Sequence, residues 1–229
     1  MKEYKLPIGC DVPETIILAD GDFPSHPLAL EWLRQCPYVV CCDGAANTYI
    51  RSGRMPEAIV GDGDSLLPDI KERYASLIHS EAEQETNDLS KAFRFCLSQE
   101  RKRITIMGAT GKREDHTIGN VSLLADYMEQ AEVSMMTDYG IFVPIREDSM
   151  FESYIGQQIS VFNMNSTALS AEGLAYPLSV FTNWWQGTLN EALARHFIIR
   201  TEGKVLVFRV LLKEKTLQGM KSLSSFFIL

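Results

Sequence analysis

Four apolar runs in the first part of the 229-residue chain each break off into glycine and aspartate, and this repeated junction restricts the fold most. Residues 15–19 (TIILA) run into Asp20-Gly21-Asp22, and residues 38–42 (YVVCC) into Asp43-Gly44. Residues 58–60 (AIV) run into Gly61-Asp62-Gly63-Asp64-Ser65, and residues 104–107 (ITIM) into a loop holding Gly108, Gly111 and Asp115. Short unbroken apolar runs suit strands covered on both faces. Helical patterns separate them. Leu89, Ala92, Phe93, Cys96 and Leu97 form one amphipathic stripe, with Thr86 as its expected N-cap. Ile118, Val121, Ala125 and Met128 form a second, and Leu28, Trp32 and Leu33 fit a third. Strand–helix alternation predicts a parallel sheet with helices on both faces. Residues 133–137 are its expected last strand.

From about residue 141 the pattern becomes mostly β. Residues 158–162, 166–170, 196–200 and 204–210 are short and β-branched or alternating, divided by turn-like glycines. Glu202-Gly203 reads as a hairpin turn, and residues 144–149 as a linker. The expected class is α/β: a doubly wound, mostly parallel domain over residues 1–142, then an all-β sandwich or barrel over residues 143–229. The apolar end, residues 226–229, is expected to pack back on the body.

Composition narrows the function. Apolar residues make up 45% of the chain, enough for a packed core, and the net charge of −8 argues against a general nucleic-acid binder. Cys10, Cys36, Cys41, Cys42 and Cys96 show no metal-ligand spacing and read as small buried hydrophobes in a reducing compartment. No apolar segment resembles a signal peptide or a membrane span, so a cytoplasmic location is expected.

The acids carry the chemistry. In an extended segment Asp62 and Asp64 point the same way, where they repel unless a cation lies beside them. A hard ion such as Mg2+ takes oxygen ligands and bridges to substrate phosphates. The plain alternative is a polar turn whose acids are solvated. Gly108-Ala109-Thr110-Gly111-Lys112-Arg113 departs from a Walker A loop in spacing, yet it too leads a Gly-rich turn into a helix N-terminus, which attracts anions. Lys112 and Arg113 add positive charge. Asp115 binds metal or caps that helix, and Asp88 either works in the site or merely complements a helix dipole. His116 and the Trp184-Trp185 pair read first as structural.

Taken together, Asp43-Gly44-Ala45-Ala46-Asn47, Gly61–Ser65, Asn87-Asp88 with Lys91-Ala92, and Gly108–His116 with Asn120 resemble the thiamin pyrophosphokinase family in order and spacing. Residues 172–178 (EGLAYPL) and 187–191 (GTLNE) resemble that family's thiamin-side elements. Asn87 stands where the family often has Thr, and Leu189 where Ser is usual. The resemblance implies a C-terminal β-sandwich and a homodimer with shared active sites. It also implies Mg2+-dependent transfer of the pyrophosphoryl group of ATP to thiamin, leaving AMP. It implies catalytic roles for Asp62, Asp64, Asp88 and Arg113, with Asp62, Asp64, Asp88 and Asp115 around the metal. ATP would meet Asp43, Asn47, Gly108, Gly111, Lys112, Arg113, Asp115 and His116, and thiamin would meet Gln84, Tyr176 and Asn190. Two other readings stay open: another Mg2+-dependent phosphohydrolase or nucleotidyltransferase, and a non-catalytic thiamin or thiamin diphosphate sensor.

Overall fold

A computed structural model describes the chain except residues 9, 10, 82, 84 and 213–229. Gln84, Cys10 and the apolar end therefore lie outside the described residues. The chain opens with a short strand, β1 (Lys2–Tyr4). The parallel unit follows: β2 (Thr15–Leu18), α1 (Pro27–Gln35), β3 (Val39–Cys42), α2 (Ala45–Arg51), β4 (Ala58–Gly61) and α3 (Pro68–Arg73). It continues with β5 (Ile78–Ser80), α4 (Asp88–Ser98), β6 (Arg103–Met107), α5 (Glu114–Tyr127) and β7 (Glu132–Met136). Strand order is β7-β6-β2-β3-β4-β5, all parallel. The chain builds outward from β2 to β5, then returns to place β6 on the other side of β2.

The strands read as doubly covered because they are. Ile16, Leu18, Val39, Cys41 and Ile59 face a core with α1, α2 and α3. Ile17, Val40, Cys42, Val60 and Ile106 face a core with α4 and α5. Adjacent Cys41 and Cys42 thus enter opposite cores, as the period of two requires. Helix α4 buries the expected stripe, but its N-cap is Asn87 rather than Thr86, with Asn87 Oδ1 accepting from Ser90 N at 2.9 Å. In α5 the expected stripe holds only in part. Leu124 and Tyr127 are buried while Ile118 is 59% exposed, because only the second half of the helix lies over the core.

The remaining strands are β8 (Gly140–Ile145), β9 (Ser149–Glu152), β10 (Gln158–Asn163), β11 (Leu169–Glu172), β12 (Asn190–Glu191), β13 (His196–Thr201) and β14 (Val205–Val210). Strand β8 turns back antiparallel to β7 and extends the same sheet through β14 and β10 to β12. A second sheet, β1-β9-β13-β11, packs over this extension to form a sandwich.

Several sequence expectations change here. Residues 144–149 are not a linker, since Pro144 and Ile145 pair with Leu206 and Val205 inside the sheet. Glu202-Gly203 is not a hairpin turn, because β13 pairs with β9 and β11 while β14 pairs with β8 and β10. The turn instead carries the chain from one sheet to the other. The strand expected at 166–170 starts later, at Leu169, because Asn163 Oδ1 holds Ser166 N in a turn at 2.7 Å. Strand β1, from the start of the chain, joins the second unit, where Tyr4 stacks on Phe151 at 4.8 Å and Phe151 on Phe197 at 5.0 Å.

Asp138, in the turn between β7 and β8, ties that turn to the segment after β2. It accepts from Ser25 N and His26 N, each at 2.9 Å, and from Ser25 Oγ. Burial works against its charge, but these donors outweigh it and hold the carboxyl below the usual carboxylate range. A depressed folded pKa stabilises above the unfolded value of about 3.9 and is lost as pH falls through the folded one. Asp138→Asn should cost about 1–2 kcal/mol at pH 7, and the gap from the unaltered protein should narrow at about pH 3. Denaturant melts at both pH values read this, and a gap that does not change with pH would contradict it.

Candidate active site

The carboxyl ends of β2, β3, β4 and β6 open onto one cleft of about 690 Å3, completed by the first turns of α4 and α5. It lies where the strand order reverses, the place at which a parallel sheet leaves a crevice for a ligand. The loops after β2 and β6 interlock: Ala19 N donates to Met107 O at 2.8 Å, Gly21 N to Gly108 O at 2.6 Å and Asp22 N to Thr110 O at 2.8 Å. A Cβ on Gly21 would sit 2.4 Å from Gly108 O, so only glycine lets the two backbones approach this closely.

Asp43 closes β3 and is 3% exposed, in a left-handed conformation with φ of 33°. Its Oδ2 accepts from Ser65 N at 3.1 Å, while Oδ1 is buried without a partner. One carboxylate oxygen each from Asp43, Asp62 and Asp64 lies within 4.8 Å of the others. The pleat does not bring them together. Gly63, at φ 75°, turns the segment, and Asp64 N donates to Asp62 Oδ1 at 3.1 Å. Asn47 secures the far side of this turn, donating to Ser65 O at 2.8 Å and accepting from Leu67 N at 3.0 Å. Lys71 Nζ donates to Gly63 O at 2.7 Å. Asn47 is thereby committed to holding the acidic loop.

Burial pushes the Asp43 carboxyl up to about 6, against the Ser65 hydrogen bond, and the neighbouring carboxylates Asp64, Asp88 and Asp62 add to the rise. Exposed Asp64 is held low, first by its hydrogen bond with Ser65 and then by that with Asp43. Three carboxylates this close, one of which keeps a buried oxygen without a donor, suit a hard divalent cation.

Asp88, the first residue of α4, lines the same cleft but stands outside that trio. It accepts from Lys91 Nζ at 3.0 Å, and Lys91 is 4% exposed. The β6 loop supplies the other cations. Lys112 Nζ donates to Asp20 Oδ1 at 3.1 Å. Arg113 grips Asp115 through Nε at 3.1 Å and Nη2 at 2.6 Å. That pairing, before any other cause, holds the Asp115 carboxyl down to about 2. Asp115 thus sits with Arg113, apart from the trio. Both ion pairs are exposed and therefore weakly held. A phosphate group can compete for them, because it carries more negative charge than one carboxylate and can take the guanidinium fork in two places as Asp115 does. Arg113, as N-cap of α5, makes no side-chain cap bond, which leaves part of the helix N-terminus for an anion. Gly108 and Gly111, both at positive φ, shape the loop whose Ala109, Thr110, Lys112 and Arg113 line the cleft, and His116 lines it too. Sequence reasoning left Asp20 and Lys91 out of the site. The Asp-Gly pair after the first apolar run was the available signal for Asp20.

Of the residues expected to meet thiamin, the two that are described, Tyr176 and Asn190, lie in the second unit. Asn190, 4% exposed, spends its amide on the backbone of Tyr176: Oδ1 accepts from Tyr176 N at 3.0 Å and Nδ2 donates to Tyr176 O at 2.8 Å. The Tyr176 side chain is exposed, as are Trp185 and Leu189, the latter at φ 63°. Among the described residues, neither Tyr176 nor Asn190 lines the acidic cleft of its own chain.

The fold and the cleft define a two-unit protein, with a carboxylate cluster and a cationic glycine loop at one switch point and a β-sandwich appended. Residues 29–136 match the family model for the thiamin pyrophosphokinase catalytic domain, and residues 140–208 that for the thiamin pyrophosphokinase substrate-binding domain. The chain belongs to the thiamin pyrophosphokinase family. Thiamine pyrophosphokinase 1 of Oryza sativa subsp. japonica is 30% identical over 129 residues, covering 45% of this chain and 49% of that protein. The match thus spans about half the length of that curated relative. In fold, the chain is similar to thiamin pyrophosphokinase from Candida albicans, with a TM-score of 0.76 at 18% identity over 92% of this chain and 93% of the other. It is also similar to the Bacillus subtilis enzyme, with a TM-score of 0.73 at 20% identity over 86% and 99%. No helix among the described residues is long and apolar enough to cross a membrane.

If the trio takes a cation, MgCl2 should raise the thermal midpoint of the unaltered protein. A cation at 100 times its Kd adds about 2.7 kcal/mol. Asp64→Asn should abolish that rise without lowering the metal-free midpoint, since it removes one of three crowded charges. A midpoint indifferent to MgCl2 in the unaltered protein would rule the cation site out.

Proposed function

We propose that this protein transfers the pyrophosphoryl group of ATP to the hydroxyl of thiamin, giving thiamin diphosphate and AMP. The observation that carries the reading is the close approach of Asp43, Asp62 and Asp64, of which Asp62 and Asp64 line the same cleft as the Lys112–Arg113 loop. The family assignment supplies the substrates. Asp43, Asp62 and Asp64 would hold Mg2+, with Asp88 close by. When bound, the ion neutralises phosphate charge and orients the β- and γ-phosphates.

The chain's own groups do the rest. Lys112 and Arg113 exchange Asp20 and Asp115 for phosphate oxygens, and the start of α5 adds backbone N–H donors. The thiamin oxygen attacks the β-phosphorus, the bond from that phosphorus to the bridging oxygen of AMP breaks, and AMP leaves with the electron pair. Asp88 takes the hydroxyl proton. Chemistry of this kind depends on placement and charge neutralisation, and needs no protein nucleophile.

We place the division between the catalytic and thiamin-binding units at residues 142 and 143, and the protein in the cytoplasm as a homodimer. Tyr176 and its neighbours are held away from the acidic cleft of their own chain, and Trp185 and Leu189 are exposed beside them, as a shared site would require. Mixing Asp64→Asn subunits with Asn190→Ala subunits should then restore part of the activity that each lacks alone, and an active monomer in sedimentation would count against this arrangement.

AMP release from ATP should require thiamin, and release without it would point to a hydrolase instead. Arg113→Ala should lower turnover by about 2–4 kcal/mol of transition-state stabilisation, the loss of one preorganised donor. Arg113→Lys should recover only part, since Lys keeps the charge and loses the fork. An unchanged turnover number in Arg113→Ala would take this side chain out of the phosphate site.

A further inference from the structure

Asp88 reaches the cleft on α4, whereas the loop of residues 108–113 reaches it between β6 and α5. No strand pairing joins the two, since α4 follows β5 at the sheet edge and β6 lies beyond β2, β3 and β4. The sheet on which both helices pack sets their general spacing, α4 lying over β3 and β4 and α5 over β7 and β8, and direct contacts between the two helices refine it. Within the core, Phe93 stacks on Tyr127 at 3.9 Å, and Tyr127 Oη lies 2.8 Å from Ser90 Oγ. At the cleft end the contact is a pair of amides. Asn87 Nδ2 donates to Asn120 Oδ1 at 3.1 Å, and Asn120 Nδ2 donates to Ala109 O at 2.9 Å. Asn87 Oδ1 accepts from Ser90 N and Ser90 Oγ, both at 2.9 Å. Each amide is used at both its oxygen and its nitrogen, which fixes which way it points. One bonded path therefore runs from Tyr127 through Ser90, Asn87 and Asn120 to the backbone of the glycine loop.

We propose that the Asn87–Asn120 hydrogen bond is a positioning device that sets the separation between Asp88 and the 108–113 loop. The inference rests on the pyrophosphoryl-transfer reading. Neither asparagine is a catalytic residue. Asn87 acts through Asp88, which follows it in the chain, and Asn120 acts through Ala109. In-line transfer needs the attacking oxygen, the phosphorus and the leaving oxygen aligned, and a displacement of about 1 Å costs on the order of a hundredfold in rate. The spacing bears on the alignment of the transfer step, so its effect is expected in kcat rather than in KM for thiamin.

Asn87→Gly removes the amide at little cost to the α4 cap, since glycine is itself an accepted N-cap and keeps no side-chain donor for Asn120. Asn120→Ala removes the bond from the other side. In steady-state kinetics each variant should lower kcat by roughly ten- to a hundredfold and leave KM for thiamin unchanged. The double variant should be no slower than Asn120→Ala, because both changes break one path. Wild-type kcat in Asn87→Gly, or losses that multiply in the double variant, would overturn the proposal. Amide hydrogen exchange on the full chain without ligands gives a second readout that needs no turnover. Asn87→Gly should speed exchange at residues 109–112, which lie on a different element, and unchanged exchange there also overturns the device. Failure of the unaltered protein to form AMP from ATP and thiamin would defeat the proposed reaction instead, and the exchange result would still decide the brace.

Discussion

Three carboxylates drawn within 4.8 Å of one another repel, and much of the local architecture serves to hold them there. Asp43 is buried at the end of β3 in a conformation that non-glycine residues seldom adopt. Gly61 beside it has no Cβ, which would lie 2.8 Å from that of Asp43. Asn47 and Lys71, from the two helices flanking the acidic loop, fasten its backbone from opposite ends. Burial first, and then the neighbouring carboxylates, push the Asp43 carboxyl up to about 6. Arrangements that cost stability in this way persist where the strain has a use, and a bound cation would relieve this one.

The parallel sheet was legible because burial on both faces leaves a plain signature. β2, β3, β4 and β6 are mostly apolar, and each ends at or runs into a glycine, in the first three with an aspartate beside it. Elements without that signature were missed. β5 (IHS) is a partly exposed edge strand, and β1 (KEY) alternates with charge, so neither stands out from loop. Turn chemistry also misled at Glu202-Gly203. A glycine that reverses the chain looks the same whether the flanking strands pair with each other or with partners in two different sheets.

The site was legible to the same depth. Its acids and glycine loop lie in short contiguous segments, and all four segments end at one edge of the sheet. Partnerships across the chain were not. Asn87 and Asn120 meet across 33 residues, and Asn190 meets Tyr176 across 14. A lone asparagine in a sequence carries no mark of what its amide will reach. The family resemblance points to Asn190 as a ligand contact, and what it does not reveal is that the amide oxygen and one amide hydrogen bond the Tyr176 backbone.

The two units are joined by more than a covalent link. β8 is shared: Ile141, Val143 and Ile145 enter the sandwich core while Phe142 packs toward α4 and α5. β14 does the same, with Val205 and Val207 on one side and Leu206 on the other. A strand whose alternate residues fill two cores cannot rotate without emptying one of them, and a Leu or Phe lost from a core costs about 2–5 kcal/mol. The orientation of the sandwich is therefore fixed when the chain folds, before any ligand arrives. Hinge closure within one chain would break the ladder from β7 through β8 to β14, so it is a poor way to bring Tyr176 to the acids. A second copy meets no such obstacle. It can present its exposed Tyr176, Trp185 and Leu189 to the cleft as a rigid body, and this is the physical ground on which the proposed homodimer rests.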